Sequence, residues 1–161
     1  MNFHVLTLFP EMIRDGFETS ITGRAVEKGL LSLETVNIRD FSVNKHNRVD
    51  DYPYGGGAGM VMQAEPVYLA WESVVEKLGR KPKVLYMSPQ GRVFDQTMAQ
   101  ELAEEEDLLF LCGQFLMFHH FCGKHIEFLL CIVSQFHAEF VFTVVFVHCC
   151  LQQRLHILHA G

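Results

Sequence analysis

The chain has 161 residues, a formal net charge of −6, five cysteines and nine histidines. That length fits one domain with a real core, able to bury roughly two-thirds of the surface that its unfolded form exposes. The acidic balance excludes a freestanding nucleic-acid binder, because phosphate contacts need clustered lysine and arginine, so any RNA binding must be local or borrowed. The five cysteines, Cys112 and four beyond it, do not read as a secreted disulfide framework. Residues 1–10 are too short for a secretory signal and run straight into a charged segment, which predicts a cytoplasmic location.

Residues 3–9 read as a buried strand, and Pro10-Glu11-Met12 then opens a helix, since proline is tolerated in a first turn. A second strand is predicted over 33–38. Acids outnumber bases 17 to 11 in the first 113 residues, yet Arg39, Lys45, His46 and Arg48 fall close together. A solvated loop and a phosphate contact explain that cluster equally well. There follows the run Asp50-Asp51-Tyr52-Pro53-Tyr54-Gly55-Gly56-Gly57-Ala58-Gly59-Met60-Val61-Met62. Four glycines in five positions leave a bare backbone that is either pliable or approaches something closely, a linker or a ligand surface.

Residues 66–78 carry Val67, Trp71, Val74, Val75 and Leu78 as a helical stripe that closes at Gly79. A strand is predicted over 83–88. Asp95 then caps a helix with Met98, Ala99, Leu102 and Ala103 inward, and a further strand covers 108–112. Helices alternating with short apolar strands imply an α/β fold, a parallel sheet with flanking helices. Two consecutive strands ending at Ser88 and Cys112 would bring Ser88-Pro89-Gln90-Gly91 and Gly113 to one carboxyl edge, where open α/β sheets bind ligands. Residues 89–91 read either as part of a nucleotide-like pocket or as an ordinary turn.

The glycine run, together with Leu6-Thr7-Leu8-Phe9-Pro10-Glu11-Met12, Ser20-Ile21, Gly23-Arg24-Ala25, Asn37-Ile38-Arg39-Asp40-Phe41, Ser88-Pro89-Gln90-Gly91 and Leu111-Cys112-Gly113, resembles the bacterial tRNA (guanine-N1)-methyltransferases of the TrmD family. The resemblance covers residues 1–113. It implies a knotted SPOUT-type methyltransferase fold, incomplete here, and a homodimer with active sites between subunits. The implied reaction moves a methyl group from S-adenosylmethionine to N1 of the guanine just 3′ of the tRNA anticodon. By similarity Tyr86, Met87, Ser88, Pro89, Gln90, Gly91 and Gly113 would line the cofactor pocket. Gly55, Gly56, Gly57 and Gly59 would lie against cofactor and target base, and Arg48 and Asp50 would stand near the RNA or the dimer partner. The reaction needs a base for the N1 proton. The family's base is an aspartate far downstream, whereas no aspartate follows Asp107 here. The catalytic residue is therefore unknown, and the chain as it stands is expected to be inactive.

From Gly113 on the family pattern would read close to Gly-His-Tyr-Glu-Gly-Ile-Asp, where this chain has Gly113-Gln114-Phe115-Leu116-Met117-Phe118-His119. Residues 114–161 hold seven of nine histidines, four of five cysteines and eight of fourteen phenylalanines, but four of 32 charged residues. One domain rarely switches chemistry so sharply. Residues 1–113 are therefore expected to be the N-terminal part of the methyltransferase domain, and residues 114–161 an out-of-frame or corrupted tail. Two other readings compete. In one the chain is a non-catalytic fragment or dimerisation partner; in the other His119, His120, Cys122, His125, His148, Cys149, Cys150, His156 and His159 supply a Cys/His metal module, although their spacing is loose for zinc. No metal site is expected elsewhere. Residues 126–147 are long and apolar enough to suggest a membrane span. Glu139 in its middle opposes insertion by about 2.5 to 3.5 kcal/mol, so no membrane partner is expected.

Overall fold

A computed structural model of the chain describes residues 1–52, 61–112 and 128–132. Five strands form one sheet: β1 (Asn2–Thr7), β2 (Ser32–Asn37), β5 (Lys83–Val93), β6 (Asp107–Leu111) and β7 (Phe128–Ile132). Their order is β2-β1-β6-β5-β7, and every neighbouring pair is parallel. Two further strands, β3 (Asp50–Asp51) and β4 (Val61–Met62), pair antiparallel as a separate ribbon. The helices are α1 (Pro10–Phe17), α2 (Ser20–Glu27), α3 (Ala64–Leu78) and α4 (Gln96–Ala103), with a short 3-10 turn at Ile38–Phe41.

Strand periodicity sorts the core into two layers. Phe3 and Val5 of β1, Leu85 of β5 and Leu108 and Phe110 of β6 meet Ile13, Phe17, Ala25, Met98 and Leu102 from α1, α2 and α4. Phe3 stacks on Phe110 and tilts against Phe17, each with ring centroids 5.9 Å apart. On the opposite face Leu6, Val84, Leu109 and Leu111 pack beneath Val67, Ala70, Trp71 and Val74 of α3. A parallel sheet covered on both faces explains why β6 is buried at all five positions.

Local chemistry sets the helix ends. Pro10 occupies the start of α1, where its missing N–H costs nothing. Gly79 closes α3 at φ 66°, a left-handed conformation that glycine adopts without a Cβ penalty. The Asp95 side chain accepts a hydrogen bond from the Met98 N–H at 2.8 Å, and the four inward residues expected of α4 are the four that it buries.

The strand expected to end at Ser88 instead continues to Val93. Met87 and Arg92 both stand opposite Cys131 of β7, so residues 88–91 step out of the ladder as a bulge and the strand resumes beyond them. β7 lies in the segment read as an alien tail and was not anticipated. The expected knot, the metal module and most of the 126–147 span lie outside the described residues. Among the described residues no helix is long and apolar enough to cross a membrane.

Candidate functional site

The carboxyl edge of the sheet is assembled by three neighbours. β1 ends at Thr7, pairing β5 to β6 stops at Tyr86 opposite Leu111, and the Cys112 N–H still reaches the Leu6 carbonyl at 3.0 Å. Beyond Met87, residues 88–91 have no ladder partner in the registers with β6 or β7. They lie within β5, just past the point where its pairing with β6 ends, on the carboxyl side of that pairing.

The ribbon of β3 and β4, which flank the glycine run in sequence, is anchored near this edge. Asp50 pairs with Met62 and Asp51 with Val61, and the Gln63 N–H donates to the Val49 carbonyl at 2.7 Å. Val49, 1% exposed, and Met62 pack in the same apolar cluster as Leu111 of β6 and Tyr86 of β5. The ribbon strands that flank the glycine run in sequence are therefore packed beside the point where the β5–β6 pairing ends. Ordinary spacing could not reveal this, because the ribbon strands have two residues each and no periodicity.

Of the residues expected at the site, Tyr86 is half-buried against the ribbon root and residues 87–91 lie in the distal part of β5. Asp50 is half-buried at the start of β3, and Arg48 is exposed two residues before it. Gly55, Gly56, Gly57, Gly59 and Gly113 lie outside the described residues. Arg39, Lys45, His46 and Arg48 are all exposed, and none makes an ion pair among the described residues. Sequence reasoning missed Ser42, whose hydroxyl donates to the Arg48 carbonyl at 2.6 Å. The turn-forming asparagines at 44 and 47 were the available signal.

The ionisable groups that the fold does bury lie at the opposite, amino edge. Asp107 pairs in register with Asn2, whose amide donates to it at 2.8 Å, and it also takes the Arg80 guanidinium. His4 sits between Glu34, 3.1 Å from Nδ1, and Asp107, 3.5 Å from Nε2, while Lys77 reaches Glu34 at 2.5 Å. Burial pushes the Asp107 carboxyl up, but the Asn2 hydrogen bond and the Arg80 charge together hold it below the ordinary carboxylate value. Glu34 is likewise lowered, burial being outweighed by Lys77 and His4. Asp107, the last aspartate of the sequence, thus fastens β1 and β6 to the segment between α3 and β5 and stands at the wrong edge to act on a ligand at the carboxyl ends of the strands.

An all-parallel main sheet with helices packed on both faces defines an α/β protein, a class whose ligands bind at the carboxyl ends of the strands. The family model described as tRNA (Guanine-1)-methyltransferase TrmD matches residues 1–134, and the chain belongs to that family. The tRNA (guanine-N(1)-)-methyltransferase of Lachnospira eligens is 56% identical over 115 residues, covering 71% of this chain and 49% of the relative. One from Clostridium perfringens is likewise 56% identical over 115 residues, covering 71% and 48%. The crystal structure of tRNA (m1G37) methyltransferase from Aquifex aeolicus superposes with a TM-score of 0.77 at 28% identity, covering 94% of this chain and 69% of that one. The chain spans about half the length of the curated relatives it matches.

Proposed function

We propose that this chain supplies the cofactor-binding part of a tRNA methyltransferase that modifies N1 of the guanine just 3′ of the anticodon, with S-adenosylmethionine as donor. The observation that carries this reading is the packing of the ribbon root, Val49 and Met62, against Tyr86 and Leu111. It sets the strands that flank the glycine run in sequence beside Tyr86 and Leu111, where the β5–β6 pairing ends. Residues 86–91 and Gly113 would hold the adenosine through backbone contacts, and Gly55, Gly56, Gly57 and Gly59 would let cofactor and base approach the chain closely. When bound, S-adenosylmethionine supplies an electrophilic methyl group. The chain's own part is to orient that group, exclude water and place the guanine.

Arg48, with Lys45 beside it, would meet RNA phosphate, and Asp50 would fix the start of the ribbon. Exposed apolar groups support a homodimer built on the carboxyl edge: Phe9 follows β1, Val43 follows the 3-10 turn and Tyr52 follows β3, at 57%, 69% and 78% exposure. The cytoplasm, where tRNA is modified, is the matching location. Asp107 is committed elsewhere, so the N1 proton needs a base that no aspartate beyond Asp107 in this chain provides. Residues 114–161 fit an out-of-frame continuation. Translating all three frames of the gene past the Gly113 codon tests that, and absence of a family-like continuation in every frame refutes it.

Calorimetric titration with S-adenosylmethionine tests the site. The expected result is saturable binding that Gly91→Val abolishes, with no methyl transfer to tRNA unless a downstream base is restored. Failure of the folded chain to bind S-adenosylmethionine would overturn the proposal. Release of protons on zinc titration would instead favour the metal-module reading of the tail.

A further inference from the structure

Lys45, His46 and Arg48 are carried on seven residues, 42–48, between the 3-10 turn and β3. Such a stretch of exposed chain ordinarily samples many conformations, and ordering it on binding subtracts from affinity. Here the loop is tied across its ends. The Ser42 hydroxyl donates to the Arg48 carbonyl at 2.6 Å and accepts from the Asn44 N–H at 3.3 Å. Within the ring, Asn44 Oδ1 accepts from the His46 N–H at 3.2 Å and the Asn44 carbonyl accepts from the Asn47 N–H at 3.0 Å. Asn47 turns the chain at φ 51°, a left-handed conformation that asparagine tolerates. At one end Ser42 is held by the Arg39 carbonyl; at the other, Val49 is buried under α3.

One hydroxyl therefore closes the ring, and the residue next to the closure is the plug that roots the glycine ribbon. We infer that Ser42 is a positioning residue that holds Lys45 and Arg48 on a preformed backbone ring for an RNA phosphate beside β3. The inference rests on the RNA reading proposed above. It adds a residue with no charge of its own that sets how strongly the neighbouring charges act. A flexible basic loop would lose the fixed geometry and with it a phosphate contact that the ordered ring makes.

The test uses the full chain and its Ser42→Ala and Ser42→Thr variants in two assays. In the first, a synthetic anticodon stem-loop RNA is titrated across a salt series. Ser42→Ala is expected to weaken binding about threefold to tenfold and to reduce the salt slope by about 1, as loss of one phosphate contact does. Ser42→Thr, which keeps the hydroxyl, is expected to restore both. In the second assay, without RNA, trypsin should cut after Lys45 and Arg48 about fivefold faster in Ser42→Ala, the opening expected from one lost hydrogen bond. An unchanged melting temperature distinguishes this from general loosening. RNA binding that ignores Ser42→Ala, or cleavage at the parental rate, overturns the inference alone. Absence of RNA binding by the parent chain at every salt concentration overturns the RNA reading, and the role of the loop with it.

Discussion

Val49→Ala is the sharpest perturbation of the link between fold and site. Val49 is 1% exposed and lies in one cluster with Trp71, Leu6 and Leu111, while its carbonyl accepts the Gln63 N–H. Removing two buried methyl groups at about 0.8 kcal/mol each, with a cavity term added, puts the expected loss at about 2 kcal/mol. For a domain of this size that lowers the melting temperature by about 4 to 8 °C. Trp71, the only tryptophan, packs in the same cluster, so urea unfolding followed by its emission reads this region directly. If the ribbon is part of the cooperative core, the fluorescence and far-ultraviolet circular dichroism midpoints fall together. S-adenosylmethionine affinity should fall with them, because the root of the glycine run has loosened. A midpoint shift equivalent to less than about 0.5 kcal/mol, the range of ordinary surface substitutions, would refute the claim that Val49 anchors the ribbon.

Gly23→Ala should destabilise the fold by more than about 2 kcal/mol, because a Cβ there would stand 2.3 Å from the Glu18 carbonyl oxygen, forcing α2 to shift; chemical denaturation measures it. Asp95→Ala should cost about 1 kcal/mol by the same measurement and Asp95→Asn much less, since the asparagine oxygen can still cap Met98. Asp107 and Glu34 both have lowered carboxyl values, so their stabilisation is fully present above the ordinary carboxylate value near pH 4 and is lost as the pH falls through the lower folded values. Asp107→Asn should therefore lower stability at pH 7 by about 2 kcal/mol, with the gap to the parent closing on acidification below about pH 4, as thermal melts across a pH series would show.

Residues whose side chains follow a regular period were legible in the sequence. The inward face of α4, the capping role of Asp95, the closure of α3 at Gly79 and the parallel strands all came from spacing and end chemistry. α2 was not read as a helix because Ser20, Thr22 and Gly23 are weak helix formers; its glycine is there for close backbone approach to Glu18. The continuation of β5 past Ser88 was hidden by Pro89 and Gly91, which signal a turn and here mark a bulge. At the candidate site, the motif residues were visible as a string. Their assembly was not, because it depends on Val49 and Met62, two apolar residues that only tertiary packing brings beside Tyr86 and Leu111.

The position of β1 carries a consequence for how the molecule is made. β1 lies between β2 and β6, and its Asn2 side chain bonds Asp107, 105 residues further along. At roughly 5–20 residues per second of synthesis, about 5 to 20 s separate the appearance of the first strand from that of its second neighbour. Throughout that interval one long edge of a strand buried at five of its six positions lacks its native partner, β2 being the one described neighbour of β1 already made. The native pairing of β1 on that edge cannot form before residues 107–111 are made. An insult that delays or alters the chain at that point exposes a sticky edge on every copy already begun.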